Sequence, residues 1–533
     1  FMSQIIEQGI HSLGDFIENR LTKYAEMPAY SCMGQTLSFA DIDEKSRALA
    51  CWLQQVSGLK PGDRIVIQLP NIIQYPVAAY AALRAGLILV NTNPLYTPQE
   101  MAHQFKDSGA KAIITLVDLL PKLYAIQAQT CIEKVIVCNP TDFLNNDTTP
   151  VENSINLNQA IEDGLTLTLQ PRQNNQLNDT CVLQYTGGTT GVSKGAELTH
   201  ANILSNAAQT SERRQNNTME GEEIIICPLP LYHIYAFTVN MISFFSSGAL
   251  NVLITNPADL DSFVASIKPY KFTGFAGINT LFVGLCTNKE FRQLDFSNLK
   301  FTFSGGTALT SDAVNVWRDV TGGTISEGYG LSETSSVLCV NKPGYEKLGT
   351  VGTPLTGTEI QIWNTQNQPV APGEEGEIVA KGPQIMKGYW GRPLDTQASI
   401  VNGFFKTGDV GKVVDNGFIK IVDRLKDMII VSGFNVYPNE VEDVLTRHPN
   451  ILEAAVISQQ DDKTGESVCA YIVVNQDVNT DNIISHCREY LTRYKVPKKV
   501  IIMDSLPKSS VGKILRKDLR NKPVEMRVNT LGK

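Results

Sequence analysis

The sequence predicts an α/β protein built on parallel sheets, with a small β-rich stretch and then a further α/β segment towards its end. Two observations predict it. Helical periodicity alternates with short unbroken apolar runs, the pattern of strands buried on both faces. From residue 347 to 423 that alternation gives way to short strands set between Gly, Pro and Asn-Gly turns such as Pro372-Gly373-Glu374 and Asp415-Asn416-Gly417.

The elements follow in order. Residues 36–57 space their apolar side chains as a helix does, and Lys60-Pro61-Gly62-Asp63 turns the chain into the strand Arg64 to Leu69. The unit recurs as a helix near 74–85 before Ile88-Leu89-Val90, and a helix near 98–108 before Lys111 to Thr115. Residues 141–180, rich in Asn, Thr and Gln, read as a meandering surface connection. A second α/β stretch runs from 198 to 345, and a third begins after Arg424.

Composition bounds the function. At roughly 100–200 residues per domain, 533 residues make two to four domains. With 42% hydrophobic and 19% charged residues the chain is globular. A net charge of −8 excludes a globally basic nucleic-acid binder. Cys487 to Lys533 nonetheless holds 13 Lys or Arg against 4 Asp or Glu, a local +9. That segment is either a solvated tail or a surface that meets phosphates. The ten cysteines show no CxxC spacing and read as reduced thiols of a cytosolic protein, and the six histidines form no HExxH. The start lacks the order of a signal peptide, and the most apolar stretch, Pro76 to Val90, holds Arg84 and is too short to span a bilayer. The expected location is the cytoplasm, with association to the inner face of a membrane left open.

The strongest local signal is Tyr185-Thr186-Gly187-Gly188-Thr189-Thr190-Gly191-Val192-Ser193-Lys194-Gly195, after the short apolar strand Thr180 to Gln184. Its glycines let backbone approach a ligand closely, and exposed N–H groups make a concave anion site. Three threonine hydroxyls and the Lys194 charge suit a polyphosphate. It is not a Walker loop, because Ser193 and not Gly precedes Lys194. A flexible surface loop is the bland alternative.

This segment resembles the phosphate loop of the acyl-adenylate-forming enzymes: acyl-CoA synthetases, luciferases and the adenylation domains of peptide synthetases. The resemblance implies ATP contacts from Thr186, Gly187, Gly188, Thr189, Thr190, Gly191 and Lys194. Pro228 to Tyr235 resembles the family's aromatic segment beside the carboxylate site, which implies that His233 orients a substrate carboxylate. Phe303-Ser304-Gly305-Gly306-Thr307 resembles its adenine wall. Ser326 to Thr334 resembles its magnesium and adenine segment. There Glu327, Gly328, Tyr329 and Gly330 would meet the nucleotide, and Glu333 with Thr189 would hold Mg²⁺. Ser332 stands where the family commonly has Thr, and the hydroxyl survives.

Asp409, after Thr407-Gly408, offers two oxygens to ribose hydroxyls. Arg424, fifteen residues later, resembles the family's ribose contact, and Lys426 its hinge. Ser432-Gly433-Phe434 resembles the small-domain loop that faces the site during thioester formation. Pro507-Lys508-Ser509-Ser510-Val511-Gly512-Lys513-Ile514-Leu515-Arg516 carries the family's catalytic lysine at Lys513. Singly, most of these fit ordinary turns or solvated charges; seven in the family's order, from about residue 30 to 520, do not. Asp423 to Glu442 is most similar to bacterial long-chain fatty acid CoA ligases.

The resemblance implies a large domain, residues 1–424, of two α/β subdomains plus the β-rich one. A hinge at Lys426 joins it to a small mobile α+β domain, residues 425–533. It implies ATP-dependent activation of a fatty acid to acyl-AMP, then transfer to coenzyme A, with Mg²⁺ as cofactor and no nucleic acid. Tyr232, Tyr235, Phe237 and Phe275 are candidate walls of an acyl channel. The open alternatives are transfer to a carrier protein, a shorter or aromatic acid, a luciferase-like oxygenase and a non-catalytic acyl binder. The last would have degraded the Lys513 and Glu333 positions, which are intact. Homodimerisation stays open.

Overall fold

A computed structural model describes residue 5 and residues 8–186, 193–215, 217–432, 434–491, 493–509 and 512–520. Two large sheets carry the first part of the chain. One runs in the order Gly388–Tyr389, Gly195–Thr199, Thr180–Tyr185, Ile88–Asn91, Arg64–Gln68, Ala112–Leu116, Lys134–Cys138, Ile155–Asn156. Its last six strands are parallel and its first two antiparallel. The predicted alternation produces this sheet: helices Phe39–Gln55, Gln74–Arg84 and Pro98–Ser108 stand where periodicity places them. Every residue of Gln74–Arg84 and of Ile88–Asn91 is buried, so the apolar stretch is a core helix followed by a core strand. Among the described residues no helix is long and apolar enough to cross a membrane.

The other large sheet is ordered Thr353–Pro354, Cys339–Val340, Ile325–Tyr329, Phe301–Ser304, Gly274–Gly277, Ile224–Cys227, Leu250–Leu253, Pro28–Cys32, Gln35–Ser38. The chain leaves Ile224–Cys227 for Leu250–Leu253 on one side, then returns to Gly274–Gly277 on the other. Such a reversal marks the crevice beyond the carboxyl ends of the strands as the place where open α/β sheets take ligands.

The β-rich stretch forms an antiparallel sheet of Glu359–Trp363, Gly376–Lys381, Phe404–Val414 and Ile400–Val401, with Phe418–Arg424 paired to Phe404–Val414. It is not self-contained, because Gly388–Tyr389 and Thr353–Pro354 edge the two large sheets. The final segment has its own core around Ile429, Val441, Leu445, Ile472 and Ile483. Its sheet is built on the long hairpin Ile451–Asp461 and Gly465–Val474.

One expectation fails. Residues 141–180 are not only a surface connection: they contain the strand Ile155–Asn156 and the helix Leu157–Gly164. Leu157, Ala160 and Ile161 are buried at helical spacing, and the Asn156 side chain caps the helix by accepting from the Gln159 N–H. Polar neighbours hid this short apolar stripe. Helix Leu157–Gly164 packs so closely on Phe39–Gln55 that a Cβ at Gly164 would lie 1.9 Å from the Ala48 carbonyl oxygen. Gly164→Ala should force the helices apart at a cost of about 1–3 kcal/mol. Scanning calorimetry should show an earlier first transition; an unchanged melt would refute the tight seat.

Candidate active site

The crevice assembles its side chains from loops that follow four parallel strands. After Ile224–Cys227 the chain turns through Pro228 and Pro230, and His233 caps a short helical turn, its Nδ1 accepting from the Tyr235 N–H at 3.3 Å. That bond places the proton of a neutral ring on Nε2. Burial, and then the nearby Lys513 charge, push the His233 pKa down to about 4. The ring is therefore a neutral donor near pH 7.

After Phe301–Ser304, Gly306 sits at φ +80°, a left-handed conformation that suits glycine. A Cβ at Gly305 would lie 3.2 Å from the Tyr235 ring, so the glycine keeps a flat surface open beside that aromatic. The hydroxyls of Ser304 and Thr307, at and after the end of Phe301–Ser304, are buried with no hydrogen-bond partner among the described residues. Buried hydroxyls are normally satisfied, so orphans beside a crevice point to a ligand.

The strand Ile325–Tyr329 brings Glu327, Gly328 and Tyr329. Glu327 Oε1 accepts from the Leu309 N–H at 3.2 Å, and burial pushes its pKa up to about 8. The Tyr329 hydroxyl donates to Asp409 Oδ2 at 2.6 Å, while Arg424 Nε stands 3.6 Å from Asp409 Oδ1. Asp409 and Arg424 are directly opposed across their hairpin, which explains their sequence spacing. Gly330 is obligatory, since a Cβ there would meet the Ser336 carbonyl oxygen at 1.4 Å. Ser332 opens the short helical turn Ser332–Thr334.

Of the predicted phosphate loop, Gly187, Gly188, Thr189, Thr190 and Gly191 lie outside the described residues, as does Gly433 of the small-domain loop. The loop's stem is described. The Thr186 N–H donates to the Lys194 carbonyl at 2.9 Å, and Ser193 Oγ donates to the Thr186 carbonyl at 2.5 Å. Lys194 Nζ pairs with Asp395 Oδ1 at 2.8 Å and lies 5.1 Å above the Tyr389 ring. The Tyr389 hydroxyl donates to Glu333 Oε1 at 2.8 Å. Glu333 is buried, and burial raises its pKa.

The last segment reaches into this crevice. Gly512, at φ +73°, is seated so that a Cβ would come within 2.3 Å of Ile278 Cδ1, just beyond the strand Gly274–Gly277. Burial first, then Arg424, Lys426 and Arg516, hold the Lys513 amine down to about 7, against the opposing pull of Asp409. Lys426 is exposed in the turn after Arg424; desolvation by the surrounding chain and the Arg424 charge bring it to about 8.

The structure thus gathers His233, Tyr329, Asp409, Arg424 and Lys513, with Lys194 and Glu333 linked through Tyr389. It does not gather the Ser432 turn. Phe434 is exposed and stacks on Tyr494, and no hydrogen bond, ion pair or ring contact joins Ser432 or Phe434 to the crevice residues among those described. Phe237 and Phe275 are fully buried, Phe275 within a ring cluster with Phe263 and Trp317. Sequence reasoning missed Tyr389, Asp395 and the Arg516 clamp on Glu442 and Asp427. Arg516 sat inside the Lys513 motif; Tyr389 and Asp395 carried no local signal.

A crevice of this make-up handles a nucleotide and its phosphates, and the comparisons give that class. The AMP-binding enzyme profile matches residues 17–390 and the AMP-binding enzyme C-terminal domain matches 440–513. The chain belongs to the AMP-binding enzyme family. It is 42% identical over 530 residues to the long-chain-fatty-acid–CoA ligase of Salmonella typhimurium, covering 96% of this chain and 94% of that one. It is 39% identical to the Haemophilus influenzae enzyme of the same name, covering 97% and 95%. The fold matches the crystal structure of the anthranilate CoA ligase AuaEII in complex with anthranoyl-AMP, with a TM-score of 0.88, 24% identity, and 96% and 97% of the two chains covered.

Lys513 should show its depressed basicity directly. An ordinary lysine titrates near 10.4 and stays charged at pH 8, whereas an amine held near 7 is mostly neutral there. Trinitrobenzenesulfonate should modify Lys513 ahead of surface lysines, its rate climbing between about pH 6 and 8 and then levelling. A Lys513 labelling rate that keeps climbing beyond about pH 9, as that of surface lysines does, would refute the depressed basicity.

Proposed function

We propose that the chain activates a long-chain fatty acid in two steps: ATP-dependent formation of acyl-AMP with release of pyrophosphate, then transfer of the acyl group to coenzyme A with release of AMP. Near-full-length identity to long-chain-fatty-acid–CoA ligases supports the substrate class. The observation that carries the mechanism is the Lys513 side chain, brought from the far end of the chain to a crevice that also holds His233 and Asp409.

The chemistry explains the need. A carboxylate is a poor electrophile, because a thiol attacking it directly would have to expel oxide. In the first step a carboxylate oxygen bonds to the α-phosphorus, the bond to the β-phosphate oxygen breaks, and pyrophosphate leaves with the electron pair. Both reactants are anionic, so the enzyme's task is positioning and charge stabilisation. Lys513, protonated against phosphate, bridges the carboxylate and α-phosphate oxygens. Neutral His233 donates from Nε2 and aligns the carboxylate. Gly305, Gly306 and Tyr329 wall the base, with the Thr307 hydroxyl as a donor; Glu327, Gly328, Gly330 and Ser332 border it. Asp409 keeps lone pairs for the ribose beyond its bond to Tyr329, and Arg424 stands beside it.

Magnesium fits the site through one residue, Glu333, a buried hard oxygen ligand fixed by Tyr389; Thr189 would add a hydroxyl. Among the described residues no group of three or more His, Cys, Asp or Glu could hold a metal alone. Mg²⁺ is ordinarily bound by one or two carboxylates together with substrate phosphates. When bound, it neutralises charge on those phosphates.

In the second step the thiol attacks the acyl carbonyl, and the carbonyl–phosphate bond breaks to release AMP. Lys513 is not needed there. We assign residues 1–424 to the large domain and 425–533 to a small one that turns about Lys426 between steps. The turn would withdraw Lys513 and bring the Ser432-Gly433-Phe434 loop to the site. The exposure of Lys426 and Phe434 supports this reading.

Lys513→Ala should slow pyrophosphate release by about 10²-fold or more, on the scale of losing one transition-state contact. Thioester formation from supplied acyl-AMP should change little, and equal losses would defeat the assignment. Pyrophosphate release across acids from acetate through long fatty acids to aromatic acids, followed by acyl-CoA detection, should favour the long fatty acids and require CoA for the thioester.

A further inference from the structure

Within the segment Gly388–Ser399 only Tyr389 enters the reaction described above, yet the segment makes three side-chain contacts with the phosphate side of the site. Its strand Gly388–Tyr389 pairs with Gly195–Thr199, setting Tyr389 opposite Ala196, and the Trp390 N–H donates to the Gly195 carbonyl at 2.8 Å. This register places the Tyr389 ring beneath the Lys194 ammonium and its hydroxyl on Glu333. The short helix Pro393–Ser399 then presents Asp395, which takes Lys194 Nζ at 2.8 Å. Both anchors of the polyphosphate are thus held by one neighbouring segment.

We propose that Asp395 is a positioning residue that competes with the polyphosphate for Lys194. It holds the ammonium in the nucleotide-free enzyme and takes it back when pyrophosphate leaves. The inference rests on the reading of Thr186 to Gly195 as the polyphosphate loop. A lysine ammonium is a mobile point charge on a flexible stem, suited to exchange between anions. With Asp395 in place, an arriving polyphosphate must displace a carboxylate and meets its negative charge nearby. Without it, Lys194 keeps its place over the Tyr389 ring, whose hydroxyl is held by Glu333. The ion pair is partly exposed, with side-chain accessibilities of 33% and 40%. Such pairs are weak enough to exchange.

The test is equilibrium binding of MgATP, magnesium pyrophosphate and AMP to the full chain by titration calorimetry, without fatty acid or CoA. Asp395→Asn removes the charge and keeps the shape. It should tighten MgATP and pyrophosphate by about two- to fivefold. AMP, which lacks the phosphates that reach Lys194, should bind as before. In a Lys194→Met background the Asp395→Asn effect on pyrophosphate should vanish. Unchanged or weaker pyrophosphate binding in Asp395→Asn overturns the proposal. So does an equal shift for AMP, or an effect that persists without Lys194. A wild-type chain that binds no MgATP would overturn the functional reading itself.

Discussion

The buried carboxylate of Asp409 is the group on which the site turns. Removing a charge from water is costly unless it is bonded. Asp409 meets that cost through the Tyr329 hydroxyl, which arrives from one of the large sheets, and through Arg424 across its own hairpin. Those bonds tie the end of a large-sheet strand to the β-rich sheet, one turn before the chain enters its last segment. Asp409 also favours the charged form of Lys513, which burial, Arg424, Lys426 and Arg516 oppose. The same carboxylate fixes the crevice's wall and moderates the cation brought to it.

The electrostatics of the crevice divide into two halves. Around Lys513, burial and neighbouring cations depress amines, so positive charge is held in reserve until a phosphate arrives. Around Glu327 and Glu333, burial raises carboxyl groups, so negative charge is disfavoured until a cation or donor arrives. Each half is poised for a ligand of opposite sign.

What the sequence revealed was local. Helices near 74–85 and 98–108 could be read because their apolar periodicity and flanking turns lie within a dozen residues. Asp409 and Arg424 could be read because a hairpin converts sequence spacing into facing positions. The helix Leu157–Gly164 escaped because its buried stripe is short and set among polar residues. Tyr389 and Asp395 escaped because their partners are 56 and 201 residues away, joined only when two sheets close on each other. The phosphate loop could be recognised by its composition, while the side chains that hold its lysine could not.

The pairing of Gly388–Tyr389 with Gly195–Thr199 bears on how the chain can be divided. Those two residues form the edge of a sheet whose next two strands, Gly195–Thr199 and Thr180–Tyr185, flank the phosphate loop. A fragment ending before Gly388 would keep nearly all of that sheet yet leave the outer edge of Gly195 to Glu197 unpaired, a template for sticking to other chains. Truncation here would show up first as aggregation, before any loss of the core.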